Sequence, residues 1–184
     1  KLTAKGTAGH GSMINKDNAL TSLGEAVAKL GNHVWPQRYT ATVKRLFETV
    51  AKASGKPFDL KDLRPLLTEF GSASRMIGAT LQNTANPSML SAGYKENVIP
   101  GEASAVVDGR FLPGYEDEMN ATIREIVGPD IRIETIVTDI ALEVPFEGDL
   151  VDAMCAALIK HDGDGIPVPF TMSGGTDNKA LSKI

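Results

Sequence analysis

Between Asp17 and Gly31 the apolar residues Leu20, Leu23, Val27 and Leu30 recur at three- and four-residue steps, the spacing of one face of a helix. Asn15 or Asp17 is available as its N-cap and Gly31 as its stop. Trp35-Pro36 breaks the pattern, and Val43, Leu46, Phe47 and Val50 mark a second helix ending at Gly55. Residues 59–70 and 72–81 read as two shorter helical pieces, with Pro65 placing a break or a helix start. The period then changes from about four to two. Residues 2–8, 83–94 and 103–112 carry strand-type sequence, and the last two are joined through Asn97-Val98-Ile99-Pro100-Gly101, whose Pro-Gly step is a turn signal. Residues 83–112 therefore predict an antiparallel hairpin. In its second strand Ala103, Ala105, Val107 and Phe111 face the core, while Ser104, Asp108 and Arg110 face away.

Residues 115–127 predict a further helix: Glu116, Asp117 and Glu118 complement its positive N-terminus, Ile123, Ile126 and Val127 form the buried stripe, and Gly128-Pro129 ends it. Residues 131–137 alternate as a strand. The order strand, helix, strand, strand, helix, strand predicts an α+β fold of the split βαβ (ferredoxin-like) type. Its four-stranded antiparallel sheet carries helices on one face, and residues 35–81 form a helical insertion. Past Pro145-Phe146 the grammar changes: a helix over 149–160, a short strand over 168–172, then Ser173-Gly174-Gly175-Thr176 turning into a helix near Asp177. Strand, glycine turn and helix belong to an α/β domain, so two parts are expected, 1–140 and 141–184, the second too short to build that architecture alone.

The 184 residues are 42% hydrophobic, enough for a real core, and 23 acidic against 19 basic side chains give a net charge of −4. That balance argues against a nucleic-acid partner, and the sheet-forming segments offer few aromatic or basic positions for one. One cysteine, Cys155, excludes an internal disulfide framework and suits a reducing compartment, the cytoplasm by default. On its helix, Cys155 reads as a small buried hydrophobe. No apolar run approaches the roughly 20 residues that span a bilayer. Because the chain starts with Lys1 and stops at Ile184 inside a helix-like run, both ends are expected to be cut from a longer polypeptide.

Candidate chemistry is sparse. His10 stands in the glycine-flanked loop Gly9-His10-Gly11-Ser12, where backbone can approach a ligand; the alternative is an exposed turn histidine. His33 and His161 follow helix C-termini and suit capping. Residues 161–165 lack the final acidic ligand of a calcium loop and read as a solvated connection. The turn Ser173-Gly174-Gly175-Thr176-Asp177 offers consecutive backbone N–H groups for an anion, or is an ordinary capped turn. Arg110 could hold a carboxylate in a bidentate fork or simply pair with Asp108.

Taken in order, Gly9-His10-Gly11-Ser12 with Asp17-Asn18-Ala19, Asn97-Val98-Ile99-Pro100-Gly101, Asp108-Gly109-Arg110-Phe111-Leu112-Pro113-Gly114 and Ser173-Gly174-Gly175-Thr176-Asp177 resemble a known family. It is the dinuclear zinc amidohydrolase and exopeptidase family of aminoacylases, acetylornithine deacetylase, succinyl-diaminopimelate desuccinylase, glutamate carboxypeptidase and dipeptidases. The resemblance implies that residues 1–140 are a lid that dimerises and that residues 141–184 return to a catalytic domain. It implies that His10 crosses the dimer to stabilise the oxyanion of the partner's reaction. Asn97 and Arg110 would bind substrate, Arg110 its carboxylate, and Gly174, Gly175 and Thr176 would line the same pocket. In such enzymes two zinc ions are held by a His-x-Asp motif, a bridging Asp, further carboxylates and a late His, with a Glu as general base. None of that set matches this sequence, so the chain alone is expected to bind no zinc and to be inactive, with zinc held elsewhere in an intact homodimeric parent acting on short peptides or N-acyl amino acids. Met13-Ile14 also replaces the proline common soon after the serine. The competing reading is a stand-alone dimeric split βαβ module that binds a ligand or a partner without catalysis.

Overall fold

The computed structural model describes residues 1–182, so Lys183 and Ile184, expected to continue the last helix, lie outside the described residues. The chain forms two compact units: residues 1–36 with 83–139, and residues 37–82 with the chain from Ile140 onward. The helical stretch expected as an insertion thus groups with the C-terminal segment.

The first unit runs β1 (Leu2–Lys5), β2 (Gly9–His10), α1 (Ala19–Gly31), β3 (Thr84–Ala92), β4 (Val98–Ile99), β5 (Glu102–Arg110), α4 (Glu116–Val127) and β6 (Arg132–Ile133). Four strands form a sheet in the order β3-β5-β1-β6, every pairing antiparallel, which is the split βαβ arrangement. α1 and α4 share one core with the sheet, built on Leu2, Leu23, Leu30, Ala105 and Met119. α1 starts one residue later than the expected caps allow, because the Asn18 side chain accepts from Leu20 and Thr21 N–H at 2.9 and 3.4 Å, while Asp17 accepts from the Thr7 hydroxyl. Its buried stripe is Ala19, Leu23, Ala26 and Leu30. Leu20 is 43% exposed, a correction to the expected stripe, because the buried face runs through its neighbour Ala19 and through Ala26 instead.

On β5 the expected alternation is present, with Ala103 and Ala105 buried and Val107 and Phe111 packed on the core. The strand expected over 131–137 shrinks to Arg132–Ile133. It pairs with Leu2 and Thr3 of β1, and Glu134 N–H meets the Lys1 carbonyl at 2.8 Å. Ile136 and Val137, beyond this pairing, are exposed.

The second unit contains α2 (Ala41–Ser54), a 3₁₀ stretch (Arg64–Ala73), α3 (Ser74–Gly78), α5 (Asp149–His161) and the four-residue α6 (Asn178–Leu181). Thr40 caps α2 and Gly55, with φ +68°, ends it in the left-handed conformation. Pro65 sits in the first turn of the 3₁₀ stretch, where its missing N–H costs nothing. Phe47, with no exposed surface, centres a core of Val43, Leu46, Leu63, Leu66 and Leu81 and meets the Phe70 ring edge-on at 5.4 Å. The extended chain after Ile140 is pinned here as well. Glu143 accepts from the Thr42 N–H at 2.8 Å, and the Arg45 guanidinium lies 4.7 Å over the Phe146 ring. Burial pushes the Glu143 carboxyl up, but hydrogen bonds from Thr42, Thr40 and the Ala41 backbone outweigh it and hold it below its ordinary range. Two expectations are corrected in this unit. No strand forms over 168–172 among the described residues, although Val168 packs on the core, because no strand in this unit is there to pair with it. No residue of α5 is buried, so Cys155 is half-exposed rather than a core residue.

Candidate functional site

The expected loop around His10 is in fact a short strand. β2 pairs with β4, Gly9 opposite Ile99 and His10 opposite Val98. This ribbon continues the β1–β5 ladder, in which Lys5 opposes Glu102 and Gly6 N–H meets the Gly101 carbonyl at 3.0 Å. Between the two pairings the N-terminal strand advances by one residue more than its partner, a bulge in the Gly6–Ala8 stretch. Glycine at position 6 is required there, since a Cβ would lie 2.4 Å from the Asp17 carbonyl oxygen.

The ribbon brings His10 and Asn97 together, although 87 positions separate them in sequence. His10 Nε2 lies 3.3 Å from Asn97 Nδ2. On the other side of the ring, Nδ1 lies 2.8 Å from the Ser12 hydroxyl and accepts from the Ser12 backbone N–H at 3.3 Å. Gly11 N–H donates to the Asn97 backbone carbonyl at 2.8 Å, so the main chain of residue 97 is held beside His10 while its carboxamide stays exposed. Ser12 enters the sequence pattern only as a neighbour of His10. Its separation of two positions across a glycine turn is the signal that could have marked it as a partner of the ring.

Arg110 ends β5 on its outward face. Its guanidinium grips Asp108, two positions back on the same face, with Nε to Oδ1 at 2.7 Å and Nη2 to Oδ2 at 2.8 Å. The Asp108 hydrogen bond raises the guanidinium's already high pKa further, so the group is a permanent cation with about half of its side chain in solvent. The plain ion-pair alternative for Arg110 is therefore present, and the remaining N–H groups of the fork stay available to a carboxylate.

Arg110 and His10 stand at opposite ends of the ladder. The eight steps of β5 from Glu102 to Arg110 span roughly 26 Å at ~3.3 Å per residue, and the ribbon carries His10 beyond Glu102. Gly174, Gly175 and Thr176 belong to the second unit. All three are exposed, and the Thr176 carbonyl caps Lys179 N–H at 3.1 Å. A groove along α2, lined by Arg45, Glu48, Lys52 and Ile166, holds none of the candidate residues. His33 stacks edge-on against Trp35 at 4.8 Å and His161 closes α5.

No group of three or more His, Cys, Asp or Glu side chains suited to hold a metal ion occurs among the described residues. The described residues thus bring together no donor set that fits a zinc centre. No helix among the described residues is long and apolar enough to cross a membrane.

Residues 1–132 match the model of the peptidase dimerisation domain. The chain is 30% identical over 189 aligned positions to a probable carboxypeptidase S-like protein of Dictyostelium discoideum, covering 97% of the chain and 36% of that protein. It is 23% identical to the human N-fatty-acyl-amino acid synthase/hydrolase PM20D1, covering 97% of the chain and 38% of that enzyme. The chain therefore spans a little over a third of the length of these curated relatives. Among solved structures, an M20 family metallo-carboxypeptidase from Sulfolobus solfataricus shares the fold with TM-score 0.58 at 16% identity, over 95% of this chain and 51% of that one. The dipeptidase Dug1p from Saccharomyces cerevisiae does so with TM-score 0.59 at 14% identity, over 95% and 42%. With the split βαβ sheet, the His10–Asn97 ribbon and a family match over residues 1–132, the chain belongs to the dimerisation-domain family of the M20 peptidases.

Proposed function

We propose that this chain is the lid, with part of the catalytic domain, of a homodimeric zinc-dependent hydrolase that cleaves the amide bond of short peptides or N-acyl amino acids beside a free carboxylate. The names of the two relatives, a carboxypeptidase and an N-acyl-amino acid hydrolase, both denote substrates of that kind. In this reading the chain as far as residue 140 is the lid and the remainder is catalytic. The zinc ions, two by resemblance, are held by residues outside this chain, and the reducing cytoplasm is the setting that fits a lone cysteine.

The observation that carries the reading is the separation of the two ends of the ladder. A dipeptide extends only about 7 Å, so one substrate cannot meet His10 and Arg110 of the same chain. A two-fold axis at the outer edge of β3 removes the difficulty. β3 is an edge strand whose start, Thr84, opposes Arg110 and whose end, Ala92, opposes Ala103. Antiparallel pairing of two such edges sets the Arg110 end of one subunit beside the ribbon end of its partner. Exposed Met89 and Leu90 on β3 supply apolar surface for that contact. Each active site then takes His10 and Asn97 from one subunit and Arg110 from the other, with the Gly174-Gly175-Thr176 turn lining the pocket.

Within such a site Arg110 holds the substrate carboxylate, Asn97 donates to a substrate oxygen, and His10 Nε2–H donates to the oxygen that becomes negative as the carbonyl turns tetrahedral. Arg110→Ala in the full-length enzyme is expected to raise KM by about 10- to 100-fold, the value of one or two charge-assisted hydrogen bonds, with kcat within a few-fold of wild type. Steady-state kinetics on an N-acyl amino acid measures this, and an unchanged KM removes Arg110 from the site.

A further inference from the structure

The three contacts of the His10 ring cannot all be satisfied with arbitrary proton positions. If Nε2 accepts from the Asn97 carboxamide, the neutral ring carries its proton on Nδ1, which suits the Ser12 hydroxyl as acceptor. That proton then points at the Ser12 backbone N–H 3.3 Å away, donor against donor. If instead Nδ1 is the bare nitrogen, it accepts both the Ser12 N–H and the Ser12 hydroxyl, at 3.3 and 2.8 Å, and Nε2 carries the proton. The remaining mismatch, Nε2–H facing Asn97 Nδ2 at 3.3 Å, is relieved by turning the exposed carboxamide so that its oxygen faces the ring. It is relieved equally when a ligand oxygen lies between the two donors. A backbone N–H in a turn whose neighbours are tied to the partner strand has no such freedom.

We infer that Ser12 is the positioning residue of His10: its backbone N–H and hydroxyl together hold the neutral imidazole as the Nε2–H tautomer and so aim a proton at the ligand side. The ligand served is one presenting an oxygen that gains negative charge. Asn97, at hydrogen-bond distance from the same nitrogen, keeps that proton engaged when no ligand is present. This deepens the oxyanion role proposed for His10 and rests on that reading for its use in catalysis, but the tautomer itself stands on the geometry of the ribbon alone. A hydrogen bond to the second ring nitrogen is a general means of choosing which nitrogen faces a substrate.

The test is the two-bond proton–nitrogen correlation spectrum of ¹⁵N-histidine-labelled 184-residue chain, recorded at a pH where the rings are neutral. The His10 signals are assigned by their loss in His10→Gln. The expected pattern is a pyrrole-like Nε2 and a pyridine-like Nδ1. Ser12→Asp replaces a hydroxyl that can donate to Nδ1 by a carboxylate that can only accept; its charge-assisted pull on an Nδ1 proton opposes the backbone N–H and is expected to shift the ring toward the Nδ1–H pattern relative to wild type. A wild-type Nδ1–H pattern, or a Ser12→Asp spectrum unchanged from wild type, overturns the inference. Turnover of full-length Ser12→Asp separates the two levels: a switched tautomer with wild-type kcat leaves the positioning role standing and removes the oxyanion role. A wild-type tautomer pattern in Ser12→Asp, with His10→Ala still inactive, does the reverse.

Discussion

His10→Ala in the full-length enzyme is expected to lower kcat by about 10²- to 10³-fold, the usual effect of deleting one donor to an oxyanion, while KM changes little. The split between the constants follows from what the Nε2–H meets. A donor aimed at the tetrahedral oxygen strengthens as charge develops there, so its loss is felt in the transition state and hardly in the ground state. His10 is exposed, its ring hydrogen-bonds to Ser12 and Asn97, and it is not part of the sheet core, so the substitution leaves that core intact. Retained thermal stability together with lost turnover is the expected signature. A fall of less than tenfold contradicts the oxyanion role.

Phe47→Ala is expected to cost about 3–5 kcal/mol, the range for emptying a fully buried aromatic site. The loss should be confined. Phe47 centres the core of the second unit, together with Leu46, Leu63 and Leu66, whereas the first unit has its own core around Leu23 and Leu30. Native-state amide exchange should therefore speed up in α2 and in the 3₁₀ stretch while β1 and β5 stay protected. Equal acceleration in both units contradicts independent cores.

What could be read from the sequence follows the range of the interactions involved. The hairpin face of β5 and the amphipathic α2 are local periodicities, and the structure has them where the pattern puts them. β6 is shorter than its pattern and no strand forms over 168–172 among the described residues, because a strand exists only where another strand pairs with it, and which strands meet is not a local property of the sequence. The start of α1 turned on whether Asn18 or Asp17 met the free N–H groups, a choice between adjacent caps that periodicity does not make. At the site, the motif around His10 was visible as glycines flanking an imidazole. Its pairing with Asn97 was not, because a separation of 87 positions hides the β2–β4 ribbon. The distance between His10 and Arg110, which argues for a shared site between subunits, also emerges only once the ladder is assembled.

That shared site is tested most directly by mixing inactive subunits. Full-length His10→Ala and Arg110→Ala proteins, each impaired alone, are unfolded, mixed in equal amounts and refolded, and turnover is measured at a substrate level well below the KM of the Arg110 variant. If every site takes His10 from one subunit and Arg110 from the other, each mixed dimer carries one intact site, and about a quarter of wild-type activity returns, since half of the random dimers are mixed. If both residues act within one chain, the mixture is no more active than the average of its two components, and a site shared between subunits is contradicted.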